Sequence, residues 1–308
     1  MFKKIKKTKI NSGIGFCILA LAFPMLHFIF MFLLNNGGTI LLSFQEFSME
    51  TGKFEWVGIK NFATLIRILF SEYSEFPIAL KNSFIFFLVN NFIILPVSVC
   101  CGILCYKRIP FGNFFRIVLY LPTVISPVIL ALLYSFAWDS SVGFIPALLE
   151  KLNLTKLIPI KGFFADEKTA MPLLIVYAMW IGTGGPIILI TGAISKIPDH
   201  LLELDKMYGL GFFQEIGYVI LPLIGPTISL LFLQGLGVIL GYYMPVLLIT
   251  GGQAKTTTYA FFAIQLTQGG QKNYGFAAAM SLVSTVIMAP IVLLLRRFVD
   301  KKFPAYEY

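Results

Sequence analysis

Residues Ser83–Cys105 read SFIFFLVNNFIILPVSVCCGILC, a run that contains no Asp, Glu, Lys or Arg. A helix that crosses a bilayer needs roughly 17–25 predominantly apolar residues, so this stretch has the length and composition of a membrane span. Five further segments share both properties: Ile14–Leu34, Ile117–Trp138, Met171–Ile194, Tyr218–Leu240 and Phe276–Leu295. The fifth is followed by another apolar stretch that reaches Ile249. The sequence therefore predicts an all-α integral membrane protein with six transmembrane helices.

The composition of the whole chain supports this prediction. Of the 308 residues, 57% are hydrophobic and 13% are charged, whereas a soluble domain carries roughly 25% charged residues. The mean hydropathy is +0.83. Exposing so much apolar surface to water would cause association. This excludes a soluble enzyme, a disordered chain and a secreted disulfide scaffold.

The distribution of basic residues predicts the orientation. The loops and tails on the side that holds both termini carry fourteen Lys and Arg, and those on the other side carry ten. Because cytoplasmic loops are enriched in Lys and Arg, both termini are expected in the cytoplasm. The net charge of +9 is then explained by the excess of Lys and Arg in cytoplasmic loops, and no nucleic-acid partner is expected. Ile14–Leu34 follows five lysines as a signal peptide would, but no small-residue cleavage site follows it, so we interpret it as a retained anchor.

No catalytic constellation is present in the sequence. Its two histidines are His27 and His200, and it contains no HExxH, CxxC or phosphate-binding GxxxxGK[ST] pattern. Cys101 and Cys105 are one helical turn apart, which allows a metal pair, although small buried hydrophobes are the simpler interpretation. We expect no catalytic residue, metal or cofactor in this chain. The near absence of ionisable residues from the spans also disfavours an ion-coupled carrier and a membrane-embedded transferase.

The loop between the fourth and fifth spans is acidic, although it is predicted to be cytoplasmic. Residues Ile197–Pro226 read IPDHLLELDKMYGLGFFQEIGYVILPLIGP. Pro198 suits the first turn of a short helix, and Gly209 or Gly211 suits its end. The helix would carry an apolar stripe and an acidic face, formed by Leu201, Leu202, Leu204 and Met207 and by Glu203 and Asp205. A helix lying on lipid is usually basic, so a protein partner with basic groups fits better.

This stretch resembles the EAA loop of permease subunits of ABC importers, of the carbohydrate-uptake type related to the maltose transporter permease. The family pattern is IPxxLYEAAxxDGA followed by an I-x-LP step. Here Leu204-Asp205 stand in place of two alanines, and Tyr208 in place of an aspartate. The resemblance extends over most of the chain, through Val57–Phe62, Ala79–Ser83, Phe114–Pro127, Trp180–Gly185, Leu248–Gly252 and Tyr274–Ala279.

The resemblance implies the transmembrane domain of a type I ABC importer in a bacterial cytoplasmic membrane. It implies that ATP and Mg are bound by partner ATPases and not by this chain, which is then no enzyme. The expected partners are a second permease, two ATP-binding subunits, an extracellular substrate-binding lipoprotein and a sugar. Residues of the EAA loop, 195–217, would dock on the ATPase: Pro198, Leu201, Glu203, Asp205, Met207 and Gly209. The chain divides into residues 1–75, a permease core at 76–295 and a cytoplasmic tail at 296–308.

A substrate path is predicted around glycines that interrupt the fourth and fifth spans. Aromatic and amide side chains beside those glycines suit a sugar, which presents C–H patches and hydroxyls together. The candidates are Tyr177, Trp180, Gly182, Gly185, Gln234, Gly235, Tyr242 and Tyr243. Helix packing would also explain the glycines, as at the GxxxG step of Gly237 and Gly241, and anchoring at the membrane interface would explain the tyrosines. A non-sugar solute remains an alternative substrate.

Overall fold

Long apolar helices dominate the computed structural model, which describes residues 2–71, 74–107, 112–198, 211–268 and 272–302. Within these residues, five helices are long and apolar enough to cross a bilayer. A sixth candidate is a pair of bent helices. The five are Gly15–Ser43, Phe76–Tyr106, Ala170–Ile194, Phe212–Thr250 and Tyr274–Val299. Each contains or overlaps a segment predicted from the sequence, so the all-α membrane architecture is confirmed.

The described residues form two compact units. The first comprises residues 1–66 and 266–283, and the second comprises residues 67–265 and 284–308. The first begins with α1 (Phe2–Ser43). This helix continues through Asn35-Asn36-Gly37-Gly38, where the sequence predicts an outer loop, so the predicted end at Leu34 is wrong. Asn36 and Thr39 donate side-chain hydrogen bonds to the carbonyls of Phe32 and Asn35, which satisfies these polar groups within the helix.

A small hairpin follows α1 in the first unit. Strand β1 (Gln45–Phe47) pairs antiparallel with β2 (Phe54–Trp56). The Asn61 amide, at the start of α2 (Lys60–Leu69), donates to the carbonyls of Ser43 and Gln45 at 2.9 Å. These bonds fix the hairpin to the end of α1 and to α2, although two strands alone are marginally stable.

The second span of the chain is one long helix with a local widening. It joins α3 (Phe76–Val89), a π-helical turn (Asn90–Ile94) and α4 (Leu95–Tyr106). Pro96 stands at the start of α4, and proline cannot donate a hydrogen bond to the preceding turn. The turn before it therefore departs from the regular α-helical ladder.

The third predicted span, Ile117–Trp138, is not one straight helix. Helix α5 (Gly112–Val124) ends before Ser126, and α6 (Pro127–Ala137) leaves at an angle of 109°. The residue before a proline is disfavoured in the helical region, and Ser126 has φ −54° and ψ 129°. The bend therefore follows from Pro127, and the predicted third span consists of two helices bent against each other. Helix α7 (Phe144–Lys151) lies in the connection that follows.

The fourth and fifth spans complete the core of the second unit. Helices α8 (Ala170–Gly182) and α9 (Gly184–Ile194) form the fourth. The fifth joins α10 (Phe212–Glu215), a π-helical turn (Ile216–Ile220), α11 (Leu221–Gly241) and a second π-helical turn (Val246–Thr250). Helices α12 (Tyr259–Gln268) and α13 (Tyr274–Lys302) follow.

Two apolar clusters hold the second unit together. One joins α4, α9 and α11 through buried residues that include Ile103, Ile190 and Ile224. The other joins α3, α6, α8 and the π-helical turn at Val246–Thr250 through Phe86, Leu174 and Tyr177. The space between these clusters holds the candidate site.

Candidate functional site

Two adjoining cavities open between the second, fourth and fifth spans. One has a volume of about 190 Å³ and the other about 300 Å³. Asn90, Ile94, Gly182 and Val238 line both. All of these residues belong to one compact unit, so the cavities lie within a single packed body.

The smaller cavity has aromatic walls. Phe86 and Tyr242 stack with their ring centroids 4.1 Å apart, and Tyr177 completes the wall. The Tyr177 hydroxyl donates to the carbonyl of Pro127, and the Tyr177 ring lies 5.0 Å from that of Tyr134. The bend before Pro127 thus brings a carbonyl to the tyrosine that lines the cavity. Rigid aromatic faces of this kind suit the apolar faces of a ligand.

The larger cavity carries amides. Asn90 and Gln234 line it together with Gly185 and Gly235. A Cβ built on Gly185 would meet nothing within 4 Å. This glycine therefore leaves open space beside the cavity that it lines. Two amides offer both hydrogen-bond donors and acceptors.

Polar groups near the cavities remain without a partner. Among the described residues, neither side-chain polar atom of Asn91 accepts or donates a hydrogen bond, and the same holds for the Tyr242 hydroxyl. An unsatisfied buried polar group costs about 1–3 kcal/mol. Tyr242 lines the aromatic cavity, although its hydroxyl oxygen is buried.

Most of the residues predicted for the substrate path lie around these cavities. Tyr177 and Tyr242 line the aromatic one, Gly185, Gln234 and Gly235 line the amide one, and Gly182 lines both. Trp180 does not line either: it is 44% exposed and borders a separate apolar crevice between α5 and α8. Tyr243 is half-buried and packs against the cluster around Phe86. Their roles in transport stay predictions.

Phe86 and Asn90 line the cavities and Asn91 packs behind them against Gly235, and sequence reasoning missed these positions. All three lie in the second span, whereas the prediction was built on glycines of the fourth and fifth. Two adjacent amides in an otherwise apolar run were the available signal, because polar groups inside a membrane segment are costly and mark functional positions.

The glycines of the fourth and fifth spans differ in how closely other residues approach them. A Cβ on Gly182 would lie 2.9 Å from Ile94, and one on Gly184 would lie 2.4 Å from Thr123. Both allow close packing of helices. At Gly237 and Gly241, a Cβ would meet nothing within 4 Å among the described residues. The close approach expected at this GxxxG step therefore does not occur within the described part of the chain.

The predicted ATPase-docking residues fall mainly in a segment outside the described residues. Leu201, Glu203, Asp205, Met207 and Gly209 all lie there. Pro198 is described and half-buried, next to the buried Ile197. The described flanks of the loop, Ile197 and Ile216, pack on the same apolar cluster, so the two ends of the loop are held together.

No metal site is visible in the part of the chain that the structure describes. Groups of three or more His, Cys, Asp or Glu that could hold an ion are not found there. Cys101 is half-buried and Cys105 is buried, and neither forms a disulfide.

The comparison with known protein families decides the class of this chain. Residues 79–303 match the family described as "Binding-protein-dependent transport system inner membrane component". The chain belongs to this family. It is the permease subunit of an ABC importer, a multi-pass inner-membrane protein and not an enzyme. The resemblance inferred from the sequence is confirmed.

Several curated relatives are transport permeases. The permease is 25% identical to the probable ABC transporter permease protein YurN of Bacillus subtilis, over 94% of this chain and 96% of the relative. It is 27% identical to the polygalacturonan/rhamnogalacturonan transport system permease protein YteP of the same species, over 85% and 81%. It is 25% identical to the maltose/maltodextrin transport system permease protein MalF of Escherichia coli, over 71% of this chain and 44% of MalF.

Solved structures show the same fold. A chain of a bacterial ABC transporter that imports the acidic polysaccharide alginate superposes on this permease with a TM-score of 0.77 and 22% identity, over 93% and 96% of the two chains. A chain of the alginate transporter in complex with its pentasaccharide-bound periplasmic protein gives a TM-score of 0.78 and 21% identity, over 95% and 96%. At this identity the likeness establishes the fold of the permease.

Proposed function

We propose that this permease forms half of the translocation path of a sugar importer and that the paired cavities receive an oligosaccharide. The observation that carries the proposal is the arrangement of an aromatic wall beside an amide wall in two adjoining cavities between the second, fourth and fifth spans. Sugars present C–H faces and hydroxyls together, and both walls are needed to match them. The named substrates of YteP and MalF are saccharides, which supports the same class here.

The chemistry of the lining favours a neutral saccharide. None of the residues that line the two cavities is Asp, Glu, Lys, Arg or His. An ionised uronate in an apolar site without a basic partner would be strongly disfavoured. We therefore propose a neutral oligosaccharide like the maltodextrin named for MalF, in contrast to the acidic alginate named for the structural neighbour and the polygalacturonan named for YteP.

The energy source in this proposal is ATP with Mg, bound by two partner ATPases. Pro198, Leu201, Glu203, Asp205, Met207 and Gly209 would form the helix that docks on one of them. A second permease would complete the path, and an extracellular lipoprotein would deliver the sugar. The fourteen basic residues on one side support a cytoplasmic location of both termini.

The cavity linings also agree with the family assignment against an ion-coupled carrier. Such carriers commonly keep an ionisable residue within the membrane, facing the path. The cavity linings provide none, which favours ATP-driven import. A non-sugar solute would need to match the same aromatic and amide walls.

The test is the ATPase activity of the complex co-purified with this permease and reconstituted in lipid. It is measured with the binding protein and a panel of neutral and uronate oligosaccharides. We expect stimulation by the binding protein loaded with one neutral oligosaccharide. Stimulation by uronates alone would contradict the proposed substrate class. Absence of any co-purified ATPase would contradict the importer mechanism.

A further inference from the structure

An ion pair joins the ends of two spans that are far apart in sequence. The Lys107 ammonium donates to a carboxylate oxygen of Glu215, 108 positions further along the chain. The Lys107 nitrogen also lies 4.6 Å from the centre of the Phe212 ring, within the range of a cation–π contact. Lys107 follows the end of the second span, and Phe212 and Glu215 begin the fifth.

This pair differs from the other ion pairs of the described residues in its burial. The side chains of Lys107 and Glu215 are 18% and 24% exposed. Those of Lys60 and Glu46 are 63% and 40% exposed, and those of Lys255 and Glu167 are 61% and 58% exposed. Exposed pairs contribute little, whereas breaking a largely desolvated pair leaves an uncompensated charge. Of these ion pairs, the contact between Lys107 and Glu215 is therefore expected to contribute most to holding two helices together, here the second and fifth spans.

The two charges also sit at complementary helix ends. Lys107 closes α4, and its amide donates to the carbonyl of Ile103 at 3.0 Å. Glu215 lies in the first turn of the fifth span, where its amide donates to the carbonyl of Gly211 at 2.9 Å. A cation at a helix C-terminus and an anion at a helix N-terminus are each favourable. Each residue therefore stabilises the end of its own helix, in addition to the attraction between the two charges.

Apolar packing reinforces the same junction. Ile103 and Tyr106 of the second span belong to the cluster that contains Ile197, Ile216 and Ile220. Ile197 precedes the segment 199–210 and Ile216 follows it. The end of the second span is thus fixed to both described flanks of the loop 195–217.

We propose that Lys107 and Glu215 are positioning residues that tie the second span to the base of the ATPase-docking loop. A displacement of the loop then moves the second and fifth spans together. Both spans line the cavities through Asn90 and Gln234, so the pair would transmit ATPase movement to the substrate path. This inference rests on the proposed function, since it assumes that the loop docks on an ATPase.

The test compares Lys107→Glu, Glu215→Lys and the double exchange in the reconstituted complex. The neutral variants Lys107→Met and Glu215→Gln address any failure of the reversals to fold. Lys301→Glu, an exposed change at the end of α13, is the matched control for charge. Three quantities are measured: the amount of co-purified ATPase, its basal activity and its stimulation by the loaded binding protein.

We expect the single changes to retain ATPase binding and basal activity but to lower stimulation at least about fivefold, the lower end of a typical coupling between sites. The double exchange should restore part of it, because the ion pair re-forms while each charge then stands at the unfavourable helix end. A purely structural role would instead lower ATPase binding and basal activity together with stimulation. Stimulation unchanged in the single variants, or a loss of ATPase binding and basal activity in all of them, would overturn the positioning role. If the unaltered complex carries no ATPase, the proposed function itself fails.

Discussion

Gly235 and Asn91 lie against each other across the fifth and second spans. A Cβ built on Gly235 would stand 2.3 Å from Oδ1 of Asn91 and 2.7 Å from Nδ2 of Asn90. The absence of a side chain at position 235 therefore makes room for both amides. Since Asn90 and Gly235 also line the amide cavity, this contact fixes one wall of the candidate substrate path.

Gly235→Ala tests this contact. The added methyl group must displace the buried amide of Asn91 and the half-buried amide of Asn90, and overpacking of this kind typically costs about 1–3 kcal/mol. We expect a lower apparent melting temperature of the complex and weaker sugar-dependent ATPase stimulation. Gly237→Ala, two residues away, is the control, because a Cβ built there would meet nothing within 4 Å in the described chain. Equal effects of both substitutions would argue against the contact.

Asn90→Leu tests the amide wall. It keeps the approximate size of the side chain and removes hydrogen bonds to a sugar, each worth about 0.5–1.5 kcal/mol. The sugar concentration for half-maximal stimulation is expected to rise by up to about tenfold, which corresponds to 1.4 kcal/mol. The control is Asn36→Leu, because the Asn36 amide bonds within α1 among the described contacts. This control should leave the sugar concentration for half-maximal stimulation unchanged. An unaltered sugar dependence in Asn90→Leu would remove this residue from the path.

Glu203→Lys tests the docking loop. Reversal of a charge at a partly desolvated interface is expected to cost about 2–5 kcal/mol when its partner is basic. The variant should insert into the membrane normally and fail to retain the ATPase on purification. Glu150→Lys, an exposed change in α7, is the matched control. Unchanged uptake in Glu203→Lys would show that the loop does not dock as proposed.

Asn82→Ala tests a structural bond network near the candidate site. The Asn82 amide donates to the carbonyls of Lys255 and Thr257 at 2.7 and 2.9 Å. Its loss removes the donor from the buried Thr257 carbonyl, at about 1–3 kcal/mol, and from the carbonyl of the exposed Lys255. We expect a lower melting temperature and faster proteolytic cleavage between Thr250 and Tyr259. Asn36→Ala serves again as the exposed control, and equal proteolysis of the two variants would contradict the network.

Local features predicted from the sequence agree with the structure where one physical effect dominates. A run such as Ser83–Cys105, without charged groups, can be accommodated only within a bilayer or a core. Its place in a long helix was therefore predictable. The end of the first span was not, because Asn36 and Thr39 satisfy their polar groups on the helix backbone and so do not stop it.

Sequence by itself determined that this protein is an α-helical membrane permease, since apolar length, Lys and Arg distribution and the EAA-like pattern depend only on local composition and order. Tertiary structure decided the rest. It decided which glycines leave room for a neighbour, so that a Cβ on Gly235 would collide with Asn91 whereas one on Gly237 would meet nothing within 4 Å in the described chain. It decided that Phe86 and Tyr242 share a cavity wall and that Lys107 meets Glu215. These relationships depend on the packing of helices far apart in sequence, which no local pattern encodes.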